Sequence, residues 1–134
     1  MFTIDHYAIS VADADRSIAF YEKLEFSVIK DYRAEDGSVR IVHMQNGNFI
    51  LELFSYPGSA KVPEFVNTLG EDLKVQGAKH MGLNVQDIDA AATYLLQAGA
   101  LRQKPEICEG RLGRPYFFIK DPDGIFVEII SAGK

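Results

Sequence analysis

The chain has 134 residues, enough for one domain with a core that needs no covalent staples. Its 47% aliphatic and aromatic content and 25% charged content are those of an ordinary globular protein. A balance of 14 basic and 19 acidic side chains gives a net charge of −5, which offers no footprint for nucleic acid or an anionic membrane. The apolar runs are strand-sized, so no membrane span is expected. Cys108 alone allows no internal disulfide, and the N-terminus lacks the basic and apolar regions of a secretion signal; both point to the cytoplasm.

Phe2 to Val11 alternates as a strand, with Tyr7, Ile9 and Val11 on one face and Ile4, His6, Ala8 and Ser10 on the other. Asp13 suits a helix N-cap, and Ile18, Tyr21 and Leu24 follow at helical spacing. Phe26 to Tyr32 reads as a strand, Asp36-Gly37 as a turn, and Val39 to Met44 as the next strand. Asn46-Gly47 turns the chain into Phe49 to Phe54, completing a βαβββ module.

Residues 56–78 read as a linker, with a short helix beginning at Pro63-Glu64-Phe65-Val66. The pattern then repeats. Lys79 to Val85 is a strand, and Asp87 caps a helix running through Leu95 with Gly99 as its stop. Leu101 to Cys108 is a weaker strand and Tyr116 to Lys120 a further one. Asp121-Pro122-Asp123-Gly124 is a turn, too short for a calcium loop, and Ile125 to Ile130 is the last strand. The expected architecture is α+β, one domain over 1–134 built from two tandem βαβββ modules (1–55 and 79–134) joined by the 56–78 linker.

The repeat carries the chemistry. His6, Val11, Asp13 and Asp15 recur in register as His80, Val85, Asp87 and Asp89. Each module closes on a glutamate inside an apolar strand, Glu52 in the first and Glu128 in the second. A carboxylate buried without a partner costs several kcal/mol, so each needs a metal, a cation or a shared proton. Two imidazoles and two carboxylates suit a borderline divalent ion such as Zn²⁺, Ni²⁺, Fe²⁺, Mn²⁺ or Co²⁺. Such an ion can polarise a carbonyl and stabilise an enediolate while a neighbouring carboxylate moves a proton. The faces that carry the histidines continue with Ala8 and Ser10, and with Gly82 and Asn84, small and polar enough to line a cleft. Arg111 and Arg114 precede the seventh strand and read equally as contacts for an anionic substrate or as solvated loop charges. His43 has no counterpart in the second module and reads as structural or exposed. Asp13, Asp15, Asp87 and Asp89 read as helix caps and first-turn charges.

Over essentially its whole length the chain resembles the vicinal oxygen chelate superfamily. The resemblance rests on His6 with Val11 and Asp13, on Ser17-Ile18-Ala19-Phe20-Tyr21, and on Leu51-Glu52-Leu53-Phe54. It continues in His80 with Val85 and Asp87, and in Phe118-Ile119-Lys120-Asp121-Pro122-Asp123-Gly124 leading to Glu128. The full His, Glu, His, Glu set is most similar to that of glyoxalase I, the lactoylglutathione lyases. This implies a cupped mixed sheet formed by the two modules around one divalent metal, Zn or Ni first, on His6, Glu52, His80 and Glu128. Glu128 would be the base, and Glu52 would hold the metal and return the proton. It also implies a homodimer acting on a small α-hydroxycarbonyl or thiohemiacetal through a metal-bound enediolate. Ser10 and Tyr56 stand where the bacterial enzymes carry the arginine and asparagine that serve glutathione, so the resemblance does not extend to that thiol. Ser10, Asn84, Tyr56 and Arg114 are the expected substrate contacts. Within the same superfamily, extradiol dioxygenases and metal-free antibiotic-binding resistance proteins are the competing readings. Glu25 occupies the position of the family's usual glycine after the first helix.

Overall fold

In a computed structural model of the protein, residues 1–132 are described, and the chain divides into two compact units, Met1–Lys61 and Val62–Lys134. The first is built from β1 (His6–Ser10), α1 (Ala14–Glu22), β2 (Ser27–Arg33), β3 (Arg40–Asn46) and β4 (Phe49–Ser55). Its sheet runs β1-β4-β3-β2, with β1 parallel to β4 and the other pairs antiparallel. The second holds a 3-10 turn (Glu64–Asn67), α2 (Leu69–Asp72), β5 (Met81–Val85), α3 (Ile88–Gln97), β6 (Cys108–Glu109), β7 (Pro115–Lys120) and β8 (Phe126–Ser131). Its sheet runs β5-β8-β7-β6, again with the first pair parallel and the rest antiparallel. The tandem βαβββ plan is therefore present, each module with a four-stranded mixed sheet of its own.

Both helices start as their sequences require. Asp13 Oδ1 accepts from the backbone N–H of Asp15 and Arg16, and Asp87 Oδ1 from that of Ala90, satisfying donors the first turn leaves orphaned. They also end alike. Phe26 N donates to Tyr21 O and Ala100 N to Leu95 O, the closing bond of a left-handed C-cap. The left-handed residue is Gly99 (φ +72) in the second unit but Glu25 (φ +65) in the first.

One face of each sheet is core. Val42, Met44, Leu51 and Leu53 are fully buried with Val11, Phe20 and Tyr21, and α1 packs over β2, β3 and β4. In the second unit Phe117, Ile119, Val127 and Ile129 are buried with Ala92 and Leu95 of α3, which packs on β8. Each large side chain buried in this way contributes about 1.5–3 kcal/mol. Strand alternation sends the neighbouring residues to the opposite face, and those are the residues of interest.

Several boundaries differ from expectation. The first strand begins at His6, and Phe2 and Ile4 before it are exposed. The weaker strand expected over 101–108 shrinks to Cys108–Glu109, an edge pairing with only Tyr116 and Pro115 opposite. The linker contains a capped turn of helix: Thr68 Oγ1 accepts from Glu71 N as its N-cap and donates to Glu71 Oε2 at 2.9 Å. Asp121 Oδ1 accepts from Asp123 N and Ile125 N, so the 121–124 segment is a hydrogen-bonded turn. Among the described residues no helix is long and apolar enough to cross a membrane.

Candidate metal centre

The first unit brings three of its side chains together on the sheet face opposite α1. Parallel pairing sets Ala8 beside Glu52 and His6 beside Ile50, while antiparallel pairing sets His43 directly across from Glu52. Residues paired across strands point to one side, so His6, Glu52 and His43 share a face. His6 Nε2 lies 3.5 Å from Glu52 Oε1, and His43 Nε2 lies 2.6 Å from Glu52 Oε2. A carboxylate only accepts, so the His43 proton is on Nε2 and donates to Oε2. On its far side His6 Nδ1 donates to Asp5 Oδ2 at 2.7 Å, which leaves Nε2 with its lone pair toward Glu52 when the ring is neutral. That hydrogen bond raises the His6 pKa above the ordinary histidine value and lowers that of Asp5 below the ordinary carboxylate range. The His6 and His43 rings stack at 6.1 Å.

His43, which has no counterpart in the second module and reads from sequence as structural or exposed, joins the candidate site through its bond to Glu52. Its signal was the hairpin. Gly47 takes φ +56 in a two-residue turn, which pairs Asn46 with Phe49 and so His43 with Glu52.

In the second unit Gly82 pairs with Glu128, and Glu128 pairs with Phe118 across β7. His80 precedes β5 and sets its Nε2 3.5 Å from Glu128 Oε2. The imidazole is held by Phe118, whose ring meets it edge-on at 4.7 Å and 87°. Its other nitrogen, Nδ1, is buried with no hydrogen-bond partner among the described residues. Gly82 lies alongside the carboxylate, and a Cβ there would sit in ordinary contact with Glu128 Oε2, at 3.4 Å.

The donor chemistry fits a divalent ion. Metal–nitrogen and metal–oxygen distances near 2.0–2.2 Å place two ligands of one ion about 3.0–3.5 Å apart. Both His–Glu pairs have that separation, which is long for a hydrogen bond. Among the described residues no three or more His, Cys, Asp or Glu side chains are grouped so as to hold a metal ion; the geometry within each unit is that of a two-donor pair.

The expected substrate contacts fall as follows. Ser10 is exposed on the His6 face at the end of β1, in register with Phe54. Tyr56 stacks on Phe54 at 6.3 Å and helps line a groove of about 300 Å³ with Arg33, Arg40, Val39 and Pro57. Asn84 and Arg114 meet: Arg114 Nη2 donates to Asn84 Oδ1 at 2.8 Å and its Nε to Ser131 O at 2.8 Å. The guanidinium is thus oriented by the protein, with part of its donor set already used. Arg111 is exposed in the preceding loop.

Residues 3–129 match the family model of the glyoxalase/bleomycin resistance protein/dioxygenase superfamily. The chain belongs to that superfamily. As a superfamily member it is 33% identical over 129 residues to the uncharacterized protein YwkD of Bacillus subtilis, covering 95% of this chain and 94% of that one. It is 31% identical over 140 residues to the lactoylglutathione lyase of Schizosaccharomyces pombe, covering 97% of this chain but only 45% of that enzyme. In fold it is similar to a glyoxalase family protein from Enterococcus faecalis, with a TM-score of 0.79, 24% identity and 96% of both chains covered. Superfamily membership spans enzymes and binding proteins, so the chemistry has to be argued from the site.

Proposed function

We infer that the chain is a metal-dependent lyase or isomerase of the glyoxalase type, with His6, Glu52, His80 and Glu128 as ligands of one divalent ion. Zinc or nickel suits this donor set first, followed by iron, manganese or cobalt. The observation that carries the reading is the repeated pair: a histidine Nε2 and a glutamate oxygen 3.5 Å apart in each module. The reading treats 1–134 as one functional domain, working in the cytoplasm as a homodimer, with the ligand set completed within one chain or across the pair.

Bound there, the ion supplies Lewis acidity that polarises substrate oxygens and acidifies the adjoining C–H. The protein's own residues do the rest. Glu128, set against Gly82 and with His80 Nε2 3.5 Å from its Oε2, accepts the proton from the thiohemiacetal carbon. The same proton forms a C–H bond at the neighbouring carbonyl carbon while the hydroxyl proton passes from the thiohemiacetal oxygen to the former carbonyl oxygen, so a 2-oxoaldehyde thiohemiacetal becomes a 2-hydroxy thioester. The isomerisation is redox-neutral and needs no further reactant. Arg114, oriented by Asn84 and Ser131, and Tyr56 and Ser10 are the candidate contacts for the rest of the substrate.

The test is isomerase turnover after loading with Zn²⁺ or Ni²⁺, using thiohemiacetals of a 2-oxoaldehyde with glutathione and with smaller thiols. Turnover is expected with a smaller thiol, reduced on the order of 10²–10⁴-fold by Glu128→Gln with metal retained. No turnover with any thiol, or a Glu128→Gln chain as fast as the native one, would refute the reading.

A further inference from the structure

The two modules repeat the His–Glu pair and differ at the residue across the strand from each glutamate. Opposite Glu52 stands His43; opposite Glu128, at the same register position, stands Phe118. The two carboxylates consequently differ. Glu52 has its oxygens assigned to different tasks, Oε2 to His43 at 2.6 Å and Oε1 to the side of His6 Nε2 at 3.5 Å. Glu128 faces an aromatic ring that offers it no donor, and its partner is His80 at 3.5 Å.

We propose that His43 is a positioning residue that divides the labour between the two glutamates. By donating Nε2–H to Oε2 it pins Glu52 as a one-oxygen ligand through Oε1 and reserves that carboxylate for the ion. Phe118 gives Glu128 no such anchor, which suits a carboxylate that must reach a substrate carbon. A hydrogen bond to the outer oxygen of a ligating carboxylate fixes its orientation, and losing such a partner typically weakens metal binding on the order of 10–100-fold. The proposal rests on the metal-centre reading above, and adds to it a residue and an asymmetry that the ligand set alone does not contain.

His43→Phe is the natural test, because it makes the first module copy the second while keeping an aromatic volume on β3. His43→Gln is its companion, since the glutamine amide can donate to the same Oε2. Native chain and both variants are titrated with Co²⁺, followed by its visible absorption, and with Zn²⁺ in competition with a chelator. Thermal unfolding without metal checks the fold. His43→Phe should bind both ions 10–100-fold more weakly and shift the Co²⁺ bands, while His43→Gln returns affinity to within a few-fold and restores the bands. Unchanged affinity and spectrum in His43→Phe would overturn the positioning role alone. So would a loss that His43→Gln does not repair, which would assign the effect to packing. If the native chain binds neither ion, the metal centre fails and the role of His43 falls with it.

Discussion

His43 and Glu52 face each other across β3 and β4 with Nε2 2.6 Å from Oε2, whereas Phe118 takes the equivalent place opposite Glu128. A duplicated fold thus presents two glutamates in unlike surroundings, one anchored by an imidazole and one beside an aromatic ring. On the proposed metal-centre reading, equal ligands with unequal second partners would let one carboxylate hold and the other move.

Gly82 lies against the carboxylate of Glu128. A Cβ at Gly82 would stand in ordinary contact with Oε2, at 3.4 Å, so alanine is accommodated and the atoms of a larger, branched side chain are the ones expected to press on the carboxylate. Gly82→Val should leave the midpoint of thermal unfolding little changed, since valine suits a strand. It should weaken Zn²⁺ binding about tenfold or more by displacing the carboxylate. A chelator competition on both substitutions checks this; equal affinities for the alanine and valine chains would contradict it.

Glu25 holds φ +65 at the end of α1, a conformation that costs a side-chain-bearing residue about 1 kcal/mol and glycine little. Gly99 takes the same role after α3. Glu25→Gly should therefore raise stability to urea by about 1 kcal/mol, and Gly99→Ala should lower it by a similar amount. A destabilised Glu25→Gly chain would show that the Glu25 side chain makes up for its backbone.

How much of this was legible beforehand depended on the range of the signal. The caps Asp13 and Asp87, and the alternation that buries Leu51 and Leu53 but spares Glu52, are local and could be read directly. The His6 and Glu52 pairing was legible through the repeat, because the same two residue types recur in the second module. His43 was missed because the repeat was the filter, and Phe118 breaks it at that position. Only the hairpin register, fixed by the Gly47 turn, would have set His43 against Glu52. The strand expected over 101–108 failed for a related reason: an edge strand receives hydrogen bonds on one side only, and Pro105 has no N–H to give.

Arg40 ties α1 to the sheet of the first unit. Its Nε and Nη2 donate to the two oxygens of Asp31 at 2.9 Å, and its Nη1 to Asp15 at 2.8 Å. The fork to Arg40 lowers the Asp31 pKa below the ordinary carboxylate value. A depressed folded-state pKa adds stability above the unfolded value of about 3.9, and that stability is lost as pH falls through the folded value. Asp31→Asn should cost roughly 0.5–1 kcal/mol at pH 7 and progressively less below about pH 4. Urea unfolding of both chains at pH 7 and pH 3 checks the sign; a difference that does not depend on pH would contradict it.

Metal binding by the two His–Glu pairs is the decisive property. The native chain, stripped with chelator and dialysed against Zn²⁺ or Ni²⁺, should retain about one ion per chain, and a His6→Ala, His80→Ala double variant of unchanged fold should retain none. A native chain that retains no ion, or a double variant that retains as much as the native, would contradict the central claim.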